Sequence, residues 1–185
     1  MNPSKSGLPK EMRGHAMQIT SRLLLACAVT VAVAACEYST EIPGKVRYSG
    51  ALTGAKEVPA TTSNATGQAS LEVTSGGVLT YNVTWSGLSG AVTGAHIHGP
   101  ATETQTAGVL IDFSALPIGD THPTPNVMTA SGSSSGIINV TSDAVITGAV
   151  SGDSLVKLLN AGLLYVNVHT AANVDGEIRA QLKKK

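Results

Sequence analysis

The stretch VLTYNVTWSGL, residues 78–88, decides the fold. Leu79, Tyr81, Val83 and Trp85 fall on one side of an extended chain and Thr80, Asn82 and Thr84 on the other, because successive strand side chains point to opposite faces. A helix would scatter these apolar residues around its circumference, whereas a half-buried strand collects them on one face. Trp85, the single tryptophan, is expected at the edge of the core with its indole N–H bonded. Just upstream, Gly76-Gly77 separates LEVTS from VLTYN, which is a hairpin signal.

Working outward, short β-prone runs recur between Gly, Ser and Pro breaks. Residues 46–52, 68–74, 92–98, 109–113, 137–140, 145–150, 163–169 and 178–182 read as further strands. DSLVKLLNAG, residues 153–162, is the one helical pattern: Asp153 or Ser154 caps it, Leu155, Leu158 and Leu159 share a stripe, and Gly162 ends it after one or two turns. Many short strands with one brief helix predict an all-β, antiparallel β-sandwich. Residues 114–135 carry Pro117, Pro123 and Pro125 and end in SGSSSG, so they read as a surface excursion.

The leader sets the compartment. Arg22 precedes LLLACAVTVAVAAC, residues 23–36, which is short for a spanning helix but suits the apolar part of a secretory signal. Val33-Ala34-Ala35-Cys36 resembles the lipobox of bacterial lipoproteins, in which the thiol of the cysteine is acylated and that residue becomes the new N-terminus. On this reading residues 1–35 are an N-terminal extension and lipoprotein signal peptide, 36–44 a tether, and 45–183 the folded domain. The protein is then secreted and held by Cys36 at the bacterial cell envelope, on its periplasmic or cell-surface face. An uncleaved anchor and an ordinary signal peptide are the competing readings, and Met17 offers an alternative start.

Charge narrows the partners. Twelve Lys+Arg balance twelve Asp+Glu, and the one dense basic run is Lys183-Lys184-Lys185, so no field attracts nucleic acid. Membrane contact is expected through the lipid alone, and the partner is an envelope or extracellular ligand. There is no Gly-x-Ser-x-Gly elbow, phosphate-binding Gly-Lys-Ser/Thr loop, Cys-x-x-Cys pair or His-Glu-x-x-His helix, so the sequence does not advertise an enzyme. Glu177 and Arg179 share a strand face and are expected to pair with each other or with a neighbouring strand.

The chemistry-bearing candidates are histidines. In GAHIHGPA, residues 94–101, His96 and His98 stand two apart on a strand, so their rings project to the same side about 6.5–7 Å apart at the backbone. In LLYVNVHT, residues 163–170, Tyr165, Asn167 and His169 face away from Leu164, Val166 and Val168. Three imidazoles with an open position would suit zinc or copper. Histidines beside loops also bond backbone carbonyls and fix turns, and the sequence does not place residues 92–98 beside 163–169, so both readings stay open. His122 is a weaker candidate, and loops 99–107 and 114–135 are candidate contact surfaces.

Three segments in order, LTGAKEVPATTSNATGQASLEV (52–73), LTYNVTWSGLSGAVTGAHIHGPA (79–101) and LLYVNVHTAANVDGEIRAQL (163–182), resemble the chordin domain (CHRD). The resemblance implies an immunoglobulin-like or superoxide-dismutase-like sandwich and little about activity; the lipobox, the strand pattern and the missing catalytic signatures point to a non-enzymatic binding or structural module, with a copper- or zinc-binding protein using His96, His98 and His169 as the alternative. Ala180 stands where the family has Gly, so a close backbone approach there is expected to be relaxed. AHIHGP is also similar to the His-x-His strand of copper/zinc superoxide dismutases, but the rest of that enzyme's pattern is not evident, which argues against redox catalysis.

Overall fold

The computed structural model describes residues 44–113, 129–140 and 150–185. Among the described residues nine strands run β1 (Lys45–Thr53), β2 (Thr66–Thr74), β3 (Val78–Ser86), β4 (Val92–His98), β5 (Val109–Asp112), β6 (Gly132–Asn139), β7 (Tyr165–Thr170), β8 (Asn173–Gln181) and β9 (Lys183–Lys184). Among the described residues one α-helix, α1 (Gly152–Asn160), precedes β7, and a 3-10 turn covers Gly54–Lys56. All the pairings are antiparallel, in the order β5-β4-β7-β8-β1-β2-β3-β6, with β9 beside β1. The all-β antiparallel architecture with one short helix is thus the one expected from the sequence.

The sheet curls on itself. Its β6-β3-β2-β1 half meets the β8-β7-β4-β5 half at a narrow seam, where Thr53 pairs with Arg179. Between the halves lies one apolar core, with Leu71, Leu79, Tyr81 and Val83 from the first and Ile97, Ile111, Val166, Val168 and Ile178 from the second. Tyr81 stacks on Phe113 across it, centroids 4.4 Å apart. Trp85 is buried at the edge and its Nε1 donates to Thr129 O at 2.9 Å. Near the seam, a Cβ added to Gly50 would stand 2.8 Å from the Ala180 Cβ and 2.5 Å from Gln181 O, so the alanine at 180 is accommodated because residue 50 has no side chain.

Two sequence readings need correction. SGSSSG is not wholly loop, since Gly132 to Gly136 lies in β6 and pairs in register with β3. The apolar alternation is missing because this strand packs beside large side chains: Gly132 lies opposite Trp85, Ser134 opposite Val83 and Gly136 opposite Tyr81. The helix runs nine residues, longer than one or two turns, and its N-cap is Ser151, whose hydroxyl accepts from Ser154 N. The strand expected at 145–150 falls, apart from Val150, outside the described residues, as do Cys36, His122, most of loop 114–135 and the signal segment.

A buried carboxylate fastens the entry to β4. Glu177, at the start of the β8 core stretch, accepts from Ser63 Oγ (2.7 Å), Ser89 N (2.8 Å), Ser89 Oγ, Thr170 Oγ1 (2.6 Å) and Asn173 Nδ2 (3.1 Å). Burial alone would raise its pKa, but donated bonds from Ser89, Thr170 and Ser63 outweigh that and hold it at about 2. Because its folded value lies below the ordinary 4.5, its stabilising contribution is complete above that value and is lost as the pH falls from about 4.5 to about 2. Glu177→Gln is expected to lower unfolding free energy at pH 7 by about 2–4 kcal/mol. In urea titrations, the gap between wild type and variant should narrow between pH 5 and pH 2.

Candidate metal centre

The half-sheet β4-β7-β8 is buried on both sides. Its inner face carries Ile97, Val166, Val168, Ile178 and Ala180, while its outer face carries His98, Tyr165, Asn167, His169, Arg179 and Gln181, all buried as well. The polar side of these strands is thus covered rather than open to solvent: His98 is 7% and His169 9% exposed, while the His96 side chain keeps 18%. They are not among the aliphatics: His98 lies under a polar roof formed by residues 99–108, and His169 lies against Val174 O of the β7–β8 connection.

That roof is pinned by side chains from the strands below. Arg179 Nη2 donates to Thr102 O at 2.9 Å, and Gln181 Nε2 donates to Ala101 O at 2.7 Å. Tyr165 Oη and Ala107 N are 3.2 Å apart. Arg179 lies 3.6 Å over the Tyr165 ring, and His98 stacks on that ring at 4.9 Å and 4°. β4 and β8 flank β7, so the tyrosine is sandwiched between imidazole and guanidinium. Glu177 and Arg179 thus do not bond each other; each bonds groups on neighbouring segments. Pro100 and residues 102–106 of the roof remain exposed, so loop 99–107 is open to contact there and closed at Gly99 and Ala101.

Strand pairing brings the three histidines together. β4 and β7 are neighbours, with Gly94 opposite His169, His96 opposite Asn167 and His98 opposite Tyr165. One ligand nitrogen from each of His96, His98 and His169 lies within 4.8 Å of the others. His96 Nδ1 stands 2.9 Å from His169 Nε2. Gly94 leaves room for this, since a Cβ there would come within 2.9 Å of His96 Cε1. A metal bonded at about 2.0–2.1 Å in a tetrahedron spaces its ligand atoms by about 3.3–3.4 Å. The observed spread brackets that spacing.

The nitrogens turned away from the cluster are engaged. His98 Nδ1 lies 3.0 Å from Ala107 O and His169 Nδ1 2.9 Å from Val174 O, and since a carbonyl oxygen only accepts, both Nδ1 atoms carry the proton. This leaves both Nε2 atoms as lone pairs, and His98 Nε2 is buried with no hydrogen-bond partner. His96 Nε2 points toward Asp112 Oδ1 at 3.6 Å. Backbone carbonyls and a carboxylate behind ligating imidazoles are the usual outer partners of a metal site.

Electrostatics keeps the rings neutral. Burial lowers the pKa of all three, in His98 to about 4, and the neighbouring His169 lowers that of His96 further. A neutral imidazole is the form that binds a metal. Glu57, also buried, is pushed up to about 7 by desolvation, with the Arg179 charge opposing.

Sequence reasoning named the three histidines but missed Gly94, Asp112 and Asn167. Asn167 was legible as sharing the face of Tyr165 and His169; Asp112 depended on β5 pairing with β4, where it sits opposite His96. His122 lies outside the described residues.

The fold is an all-β sandwich whose polar face carries a convergent side-chain cluster and a pinned loop. The sequence matches the CHRD domain over residues 48–182, and the chain belongs to the CHRD-domain family; that match is what suggests a binding or structural module. Comparison with curated proteins and with solved structures finds no match. The matched span contains all three histidines and both ends of the roof loop.

Arg179→Met would keep bulk over Tyr165 but leave Thr102 O without its donor. Amide hydrogen exchange of residues 101–107 is expected to accelerate at least about 10-fold, the equivalent of about 1.4 kcal/mol of local stability, while exchange in β2 and β3 stays unchanged.

Proposed function

We propose that this CHRD domain is a non-enzymatic metal-binding module, in which His96, His98 and His169 hold one zinc or copper ion. The observation that carries the reading is the division of each ring: the outer nitrogens are committed to Ala107 O, Val174 O and the Asp112 side, while the inner ones converge. A purely structural use of these histidines would account for the outer bonds. It would not account for a buried, unpartnered His98 Nε2 aimed at two other imidazoles.

Untagged protein, stripped with chelator and titrated with Zn2+ or Cu2+, is expected to bind one ion per chain. His96→Ala, His98→Ala and His169→Ala should each weaken binding by at least about 100-fold. At a free metal concentration 100 times Kd, the wild type should gain about 2.7 kcal/mol of unfolding free energy. Metal-independent stability and sub-stoichiometric binding would refute the assignment.

The module belongs, on this proposal, at the bacterial cell envelope. Supporting that is the Val33-Ala34-Ala35-Cys36 sequence, which fits acylation of Cys36 and loss of residues 1–35, with 36–44 as the spacer to domain 45–183. The exposed tip, Thr102 to Thr106, is the surface offered to an envelope or extracellular partner. Labelled palmitate should enter the wild type and not Cys36→Ala, and the variant should leave the membrane fraction; unchanged fractionation would remove the anchor.

A further inference from the structure

The histidines do not account for every lone pair in the cluster. Asn167 is 2% exposed and sits on β7 between Tyr165 and His169, on the same face. Its Nδ2 donates to Asp175 O at 3.3 Å, which turns Oδ1 toward His169 Nε2 at 2.9 Å. Rotating the amide by half a turn would set Oδ1 against the Asp175 carbonyl, so the orientation is decided by its surroundings. The backbone closes in behind it: a Cβ on Gly176 would stand 2.7 Å from Asn167 Nδ2.

Oδ1 can only accept. His169 Nε2 in the neutral ring can also only accept, because its proton is on Nδ1 against Val174 O. Two acceptors 2.9 Å apart, buried, repel unless something positive lies between them. The same shortage extends to the whole cluster. Three acceptors, His98 Nε2, His169 Nε2 and Asn167 Oδ1, share this neighbourhood, and His96 Nδ1 is a fourth when the His96 proton sits on Nε2 on the Asp112 side; with the outer donors committed only His96 can bring a proton inward.

We infer that Asn167 Oδ1 is the fourth ligand, so that the centre is an N3O site for a divalent ion of the zinc or copper(II) type. This rests on the metal-binding reading above. One dication answers all four lone pairs at once, which a single proton does not. The amide contributes a neutral, hard oxygen; copper(I) prefers thiolate and thioether ligands, so the donor set selects the divalent ions. Entry is from the side of His96, whose side chain retains 18% exposure.

Cobalt(II) is the probe, because its visible bands report ligand number and type, followed by Zn2+ titration of 13C,15N-labelled protein. The wild type should bind Co2+ one to one with the intense bands of a four-coordinate site. Asn167→Ala should bind about 10–100-fold more weakly with altered bands, and Asn167→Asp, which restores an oxygen, should recover affinity. In the unmutated chain, Zn2+ should shift the side-chain carbonyl and amide resonances of Asn167 along with the three imidazoles, a readout that needs no variant to fold. Shifted imidazoles with an unmoved Asn167 side chain, or a cobalt spectrum and affinity unaffected by Asn167→Ala, would overturn the fourth ligand and leave the three-histidine site standing. Failure of the wild type to bind Co2+ and Zn2+ would overturn both.

Discussion

The antiparallel register of β4 on β7 is the constraint on which the site depends. Pairing Gly94 with His169 and His96 with Asn167 puts four chemically useful side chains into one patch about two residues long on each strand. A slip of β4 by one residue along β7 would turn His96 and His98 toward the aliphatic core, away from His169, and Ile97 outward, so the apolar inner face holds the register that the polar outer face uses. The energetics and the chemistry of this half-sheet are therefore one arrangement read from two sides.

The outer face shows how a polar layer survives burial. Each buried polar group there is given partners from a different segment: Arg179 and Gln181 hold the roof carbonyls, Tyr165 bonds Ala107, and Glu177 gathers donors from the β2 entry, the β3–β4 connection and β7. Leaving such groups without partners costs about 1–3 kcal/mol each, more for charges. Among the described residues, the buried atoms on or beside this face without a hydrogen-bond partner are His98 Nε2, Arg179 Nη1 and Glu57 Oε1; Arg179 and Glu57 attract each other by charge, whereas His98 Nε2 belongs to the histidine cluster.

Tautomers give the cluster its direction. Because Ala107 O and Val174 O require protons on the facing Nδ1 atoms, two of the rings present bare Nε2 lone pairs inward, and burial keeps the rings neutral. Asp112 behind His96 adds a negative charge that would favour a cation at that ring. The roof loop lies above, so that a ligand chemistry based on imidazole is joined to an exposed rim at Thr102 to Thr106.

Periodicity alone determined much of this protein. The two-residue alternation of Leu79, Tyr81, Val83 and Trp85, the Gly76-Gly77 turn and the shared face of Tyr165, Asn167 and His169 are local consequences of strand geometry, and the structure keeps them. The first half of β6 was hidden because Gly132, Ser134 and Gly136, opposite Trp85, Val83 and Tyr81, show no apolar alternation, whereas its second half was legible in residues 137–140. Which strands are neighbours, and that the polar face of β4-β7-β8 is roofed rather than wet, was decided by tertiary structure. A two-residue period states which side a residue takes, but not what packs against that side; long-range pairing turns three separated histidines into one cluster, and the Arg179 and Gln181 bonds to residues 102 and 101 hold the loop over the same face, with His96 left partly exposed.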